Sequence, residues 1–408
     1  MNKGINYRKG KRREIIMLLL ACGIIPYKSL ALWGDGARLM MRKAREMSED
    51  GTVEINKREH QKFVTLANFS VKSKEYIPYM PNGYEEHYLN NIAYIRKHAL
   101  YKDTPKIKFE RAIRTSEIFI LMYLSGARVF FDEKPPLANL NDLIKGDDVT
   151  YYTGPEIKDY KNDGLKKISV DGQTQLGNTR VIGAMFSPGG VYSIYNIGSK
   201  LIEWKRYGEV KIATHINRLA EEQYEPFRFH NEEEIPKVDS AIFYAYDEKI
   251  FVRVINNEYQ DKKKSGNILL NIDMTYKHMY ALPLNDMGLY MTKIMQCKNW
   301  QNIMRHMFFD QGENLDTRTF DVACDAYDER SNTYILLFCI PDLSKLKIFI
   351  KRAGLEENRG RFRIYCFEEQ LPIIAPTVSV GNEKIADVLS IPFTEFYKEW
   401  RQIQDEFI

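Results

Sequence analysis

Apolar residues recur at three- and four-residue steps through the first fifty positions and then at alternate positions, which predicts helices followed by a hairpin. Residues 12–22 (RREIIMLLLAC) predict a first helix, stopped by Gly23. Pro26 begins a short second helix over Tyr27–Trp33, and Gly34-Asp35-Gly36 reads as a turn in which Asp35 caps the next helix. That third helix spans Gly36–Ser48, with Ala37, Met40, Met41, Ala44 and Met47 as its inward stripe. Arg38, Arg42 and Arg45 fall on the opposite face with Lys43 beside them, and Glu49-Asp50-Gly51 ends the helix. Thr52–Ile55 alternates as a strand, Asn56–Lys62 reads as a polar tip, and Phe63–Phe69 as the returning strand. Three helices and a hairpin in this order are a winged helix-turn-helix.

Further along, Pro78 and Pro81 precede a helical pattern over Tyr84–Tyr101, and Ile107–Ser125, stopped by Gly126, reads as a long buried spine. Between Phe131 and Gly177, stretches such as Glu133-Lys134-Pro135-Pro136 and Lys145-Gly146-Asp147-Asp148 predict a loop-rich, poorly packed insertion. Val181–Phe186 and Val191–Tyr195 alternate about Ser187-Pro188-Gly189-Gly190, a hairpin signal. Leu201–Lys205 adds a candidate third strand and Gly208–Glu222 a helix. An apolar strand, an Asp or Asn at the cap and a helix then recur at Ala241–Tyr246/Asp247, Met279–Leu284/Asn285 and Tyr334–Ile340/Asp342. Arg363–Phe367 is a last strand, Leu371–Ser379 an irregular crossover and Phe393–Phe407 a closing amphipathic helix. The expected class is α/β (α+β), with a winged helix-turn-helix over 1–70, a helical connector over 71–127 and a mixed-sheet domain over 128–408. The insertion occupies 131–177 of that last domain.

Charge changes the picture. Met1–Lys62 carries fourteen Lys/Arg against seven Asp/Glu, a net of +7, whereas the 408-residue chain is only +4. A basic head on a mildly acidic body is what docking to a polyphosphate requires, because neutralised phosphates release counterions. The expected partner is double-stranded DNA. Arg38, Arg42, Lys43 and Arg45 would meet groove and phosphates, and Lys57, Arg58 and Lys62 the flanking backbone. Arg12 and Arg13 would close a basic N-terminal arm, Met1–Arg13.

Composition excludes more than it assigns. The five cysteines (Cys22, Cys297, Cys324, Cys339, Cys366) form no CxxC pair, and the seven histidines no HxH or HExxH, so no metal site is expected. GxxxxGK[ST], GxGxxG after a strand and GxSxG are all missing, which removes the marks of nucleotide, dinucleotide and hydrolase chemistry. Lys9–Arg13 followed by Ile15–Cys22 has the outline of a lipoprotein signal, but Glu14 abuts the run and only seven apolar residues precede Cys22. A cytoplasmic protein without cofactors is the expectation, and no stretch approaches the about twenty apolar residues of a membrane span.

Two further readings concern the body. Its helix–strand order matches the core of PD-(D/E)xK nucleases, with Glu203 and Lys205 at the Glu-x-Lys position of the third strand; there the carboxylate would hold Mg²⁺ and the lysine orient water. No acid lies between Asp171 and Glu203 to supply the second ligand. Asp321 and Asp325 would share a face if their segment were helical. The second reading is a transcription regulator whose body senses a ligand or partner.

Ile15–Leu20 with Gly23-Ile24-Ile25, then Ala37–Arg45, then Arg180–Gly183 through Val191–Asn196 to Trp204, resemble the replication-relaxation proteins of Gram-positive plasmids and integrative conjugative elements. The likeness is one of order and texture, without that family's later Asp and Glu. It implies a non-enzymatic, DNA-binding accessory to replication or transfer of a mobile element, acting with a second copy of itself or a replication or transfer protein.

Overall fold

The computed structural model describes residues 10–69, 73–100, 104–137, 142–160, 179–229, 239–256, 268–273, 275–309, 315–316, 323–355, 360–378 and 385–407. It is a mixed α/β protein in two compact units, Met1–Ile144 with Asp148–Tyr160 and Lys145–Asp147 with Lys161–Ile408. Among the described residues, no helix is long and apolar enough to cross a membrane.

The first unit is organised around helix α1 (Lys11–Cys22). From Glu14 to Cys22 every residue of it is buried, as a helix apolar on all sides must be. Gly23 ends it in the left-handed region at φ 77°, and a Cβ there would lie 2.5 Å from Ile95 Cγ2. Strand β1 (Ile25–Pro26) follows, then a 3-10 segment (Tyr27–Gly36) kinked at Gly34, then α2 (Ala37–Glu49). α2 buries Met40, Ala44 and Met47, while Ala37 and Met41 are only half-buried. Asp35 does not cap it, since no side chain bonds to that terminus. Strands β2 (Val53–Arg58) and β3 (Gln61–Leu66) form an antiparallel hairpin, and β1 joins the free side of β3. The expected polar tip is thus mostly strand: only Glu59 and His60 turn, with Glu59 at φ 53°.

Helices α3 (Glu85–Ile95) and α4 (Lys106–Ser125) pack on α1 and belong to this unit rather than to a connector. Phe109 and Ile113 of α4 share a cluster with Ile24 and Phe63. Glu14, an acid inside the apolar run, accepts from Lys11 Nζ at 2.8 Å, Trp33 Nε1 at 3.0 Å and Tyr123 Oη at 3.1 Å. One carboxylate thereby ties α1, the 3-10 segment and α4 together, its burial offset by charge-assisted bonds.

Strand β4 (Thr150–Thr153) and α5 (Gly154–Asp159) complete the unit, with a capping box at Thr153 and Glu156. Lys134 is buried against Glu156 at 2.8 Å and donates to Tyr151 O at 2.8 Å; burial pulls its ammonium pKa down. The described part of the expected insertion is therefore packed around Lys134, and 138–141 and 161–177 lie outside the described residues.

In the second unit, β5 (Gly183–Ser187) and β6 (Gly190–Gly198) form the expected hairpin. β6 continues in parallel to β8 (Ser240–Ala245), and β8 to β10 (His278–Pro283), numbering as β7 (Glu203–Trp204) and β9 (Ile268–Leu269) the two strands between. All of β8 is buried, as a parallel strand covered on both faces should be. β7 does not extend this sheet: it pairs with β9. Helices α6 (Arg206–Gln223), α7 (Glu225–Phe229), α8 (Lys249–Ile255), α9 (Asp286–Gln296) and α10 (Trp300–Phe308) punctuate these strands.

A second sheet runs in chain order through β11 (Leu315–Asp316), β12 (Ala326–Asp328), β13 (Thr333–Leu337), β14 (Arg361–Phe367) and β15 (Ile385–Ile391), parallel from β13 onward. Helix α11 (Leu343–Ala353) and α12 (Leu371–Val378) lie between its parallel strands, and α13 (Phe393–Phe407) closes the chain. α12 replaces the irregular crossover despite Pro376. Asp325 is not helical: it precedes β12, pairs with Lys345 and Arg305, and accepts from Leu337 N at 2.8 Å. Asp321 lies outside the described residues.

Asp342 couples the two sheets. One oxygen accepts from Met279 N, Ser344 N and Lys345 N, the other lies 2.7 Å from His278 Nδ1, and Ala281 N donates to Pro341 O. Asp342→Ala should cost about 3 kcal/mol in chemical denaturation, by losing cap and clamp together. Asp342→Asn should cost less, because its amide oxygen still caps α11.

Candidate functional site

The arginines of α2 lie where helical geometry puts them, on the face opposite Met40, Ala44 and Met47. Arg38, Arg42 and Arg45 are all exposed, Arg42 by 69%. Arg42 and half-buried Lys43 share Glu46, at 3.6 and 2.5 Å; Lys43 in particular holds that carboxyl below its usual range. Arg45 Nε donates to Tyr27 Oη at 3.3 Å, and Lys62 Nζ stands 4.2 Å above the same ring. Tyr27 therefore joins the helix face to the hairpin.

Within the hairpin, Lys57 and Lys62 are direct cross-strand partners, so two ammonium groups project from one side. Like charges placed opposite one another cost stability. The π-face of Tyr27 compensates Lys62 in part. Arg38 and Lys57 have no partner among the described residues. Exposed basic residues thus lie on the α2 face and on the hairpin, linked through Arg45, Tyr27 and Lys62, with Glu46 between Arg42 and Lys43.

Three predicted residues are engaged elsewhere. Arg58 follows Lys57 in the strand and so points to the other side. Its guanidinium lies 4.7 Å over the Phe109 ring and donates to Thr104 O at 2.5 Å. Arg12 bonds Asp50 and Thr52, each at 2.5 Å, stitching α1 to the turn after α2; this holds the Asp50 carboxyl below its usual range. Arg13 donates to Tyr79 O at 3.3 Å. The arm before Gly10 lies outside the described residues. Strand alternation alone separates Arg58 from Lys57, whereas nothing local announces the bonds of Arg12.

The nuclease candidates do not assemble a metal clamp. Glu203 is paired with Arg180 at 3.0 Å in a strand that lies off the parallel sheet, and Lys205 is exposed at the N-cap of α6, outside that strand. Among the described residues no group of three or more His, Cys, Asp or Glu is arranged to hold a metal ion. All five cysteines are free thiols. Nearby Glu209 is instead a buried polar anchor that accepts from Tyr195 Oη, Thr179 Oγ1 and Arg180 N, each at 2.8 Å, and burial raises its pKa.

One hollow of about 870 Å³ opens at the carboxyl ends of β8 and β10, where α/β sheets hold ligands. Tyr290, Phe393 and Tyr397 pack together in its lining, which also includes Glu248 and Glu369. Burial, with Asp247 and Glu369 nearby, pushes Glu248 up to about 7. Nothing in the sequence periodicity announces this hollow, because its lining comes from four separate segments.

No protein-family model, curated protein or solved structure matches the chain.

Arg58→Ala should lower the thermal midpoint, at a cost of about 2 kcal/mol, by losing a charge-assisted bond and a cation–π contact. If the α2 face and hairpin bind duplex DNA, Arg58→Ala should leave that binding at the wild-type value. A selective loss of affinity without loss of stability would return Arg58 to the basic surface.

Proposed function

We propose that the first unit is a winged helix-turn-helix that binds double-stranded DNA, and that the chain is a non-enzymatic DNA-binding protein. The element order of helix, short strand, 3-10 turn, helix and hairpin supports the fold reading. The observation that carries the function is the Arg45–Tyr27–Lys62 junction, which links the basic residues of the helix face to those of the hairpin. On this reading α2 enters the major groove, with Arg38 and Arg42 directed at base edges or phosphates. Lys57 and Lys62 sit on the flanking backbone, where a phosphate relieves the repulsion between them.

The resemblance to replication-relaxation proteins supports a setting in replication or transfer of a plasmid or other mobile element. In that setting the second unit docks a second copy of the chain or a protein of the same machinery.

Duplex binding should weaken with salt, with log K falling by about 0.9 per tenfold salt for each phosphate contact. Arg38→Ala/Arg42→Ala/Arg45→Ala should cost about 3 kcal/mol of binding and flatten that slope, measured by electrophoretic shift over a salt series. Wild-type affinity in the triple variant would sink the helix assignment.

A further inference from the structure

Helix α6 carries an exposed stripe that its role in the fold does not use. Its inward side buries Ile212, Ala213, Ile216, Leu219 and Ala220. Outward, Tyr207, Val210, Lys211 and Thr214 follow at i, i+3, i+4 and i+7, all exposed, with Lys205 and Arg206 at the start of the helix. Tyr207 is 75% exposed and Val210 40%. Lys211 Nζ lies 4.2 Å from the Tyr207 ring centroid.

No exposed acid offsets these three cations between positions 205 and 214. Glu209, the one carboxylate in that span, is buried and bonded to Tyr195 and Thr179. Glu203, just before it, is paired with Arg180. Lys205 and Arg206 also stand at a helix N-terminus, where positive charge opposes the macrodipole and no side chain caps the free amides. Within this span the three cations have no exposed carboxylate beside them, and the stripe is complementary to a polyanion.

The aromatic ring narrows the choice of polyanion. In duplex DNA the bases are stacked on one another, so an exposed ring gains little there. Unpaired bases are free to stack on it while neighbouring lysines and arginines hold their phosphates. Two apolar side chains are too small a face to enter a bilayer, and an acidic protein partner would use the cations but leave the ring idle.

We infer that the Lys205–Thr214 face of α6 binds single-stranded nucleic acid, with Tyr207 as a stacking platform and Lys205, Arg206 and Lys211 on the phosphates. This site lies in the second unit and stands apart from the duplex reading of the first.

Fluorescence anisotropy of a labelled oligothymidylate with the full chain tests the inference. Tyr207→Ala should weaken binding about tenfold and Tyr207→Trp should retain it. Lys211→Ala should reduce the salt slope by about 0.7. Because both side chains are exposed, circular dichroism should show an unchanged fold. Duplex affinity should be indifferent to Tyr207→Ala, and oligothymidylate affinity indifferent to Arg38→Ala/Arg42→Ala/Arg45→Ala, so the two readings fail separately. Undiminished oligothymidylate binding in Tyr207→Ala/Lys211→Ala overturns the inference. So does equal, Tyr207-dependent binding of polyglutamate or of phosphatidylserine vesicles.

Discussion

The burial of α1 from Glu14 to Cys22 constrains everything else in the first unit. Ile15 to Leu20 are each no more than 1% exposed. At about 2 kcal/mol for each such side chain, that helix contributes on the order of 10 kcal/mol before the entropy of ordering is subtracted. A helix with no polar side must be enclosed, so α2, α3, α4 and β3 all turn apolar residues toward it. Most of their charged residues face outward as the complement of that demand, while Glu117 of α4 is buried and paired with Lys28. The basic surface on α2 and the hairpin therefore follows from core packing in its position, though not in its sign.

A different constraint organises the second unit. Of its two larger sheets the first buries its parallel strand β8 on both faces, whereas β14 of the second alternates buried and part-exposed residues, and the junction between them is polar, built on the Asp342 carboxylate. Backbone amides and an imidazole share that one group, so strand β10 and helix α11 hold a fixed register. Glu14 does the same for the first unit. In both places a single buried acid with several donors specifies geometry where apolar contact alone would permit sliding.

Sequence periodicity foretold the elements in which local and tertiary demands agree. The stripe of α2, the hairpin at Ser187–Gly190 and the strand-cap-helix units at Asn285 and Asp342 all appear, with both caps bonded as read. It did not foretell where long-range pairing decides. Glu203–Trp204 has strand character, but its partner lies more than sixty residues away, so its exclusion from the parallel sheet is invisible locally. The described part of 131–177 looked unpacked because its anchor, Lys134 with Glu156, unites an ammonium and a carboxylate that read separately as surface charge. Among the basic residues, the ones engaged away from the α2 face are those whose acceptors come from distant segments: Asp50, Tyr79 and Thr104.

The opposed lysines of the hairpin make mobile ions act on this unit in two contrary ways. Dissolved salt shields Lys57 from Lys62 and so favours the empty hairpin. The same ions compete with any bound polyanion and so disfavour the occupied one. Folding and occupancy of this small sheet are thus linked through one electrostatic quantity, and an anion that seats there tightens the strands that hold it.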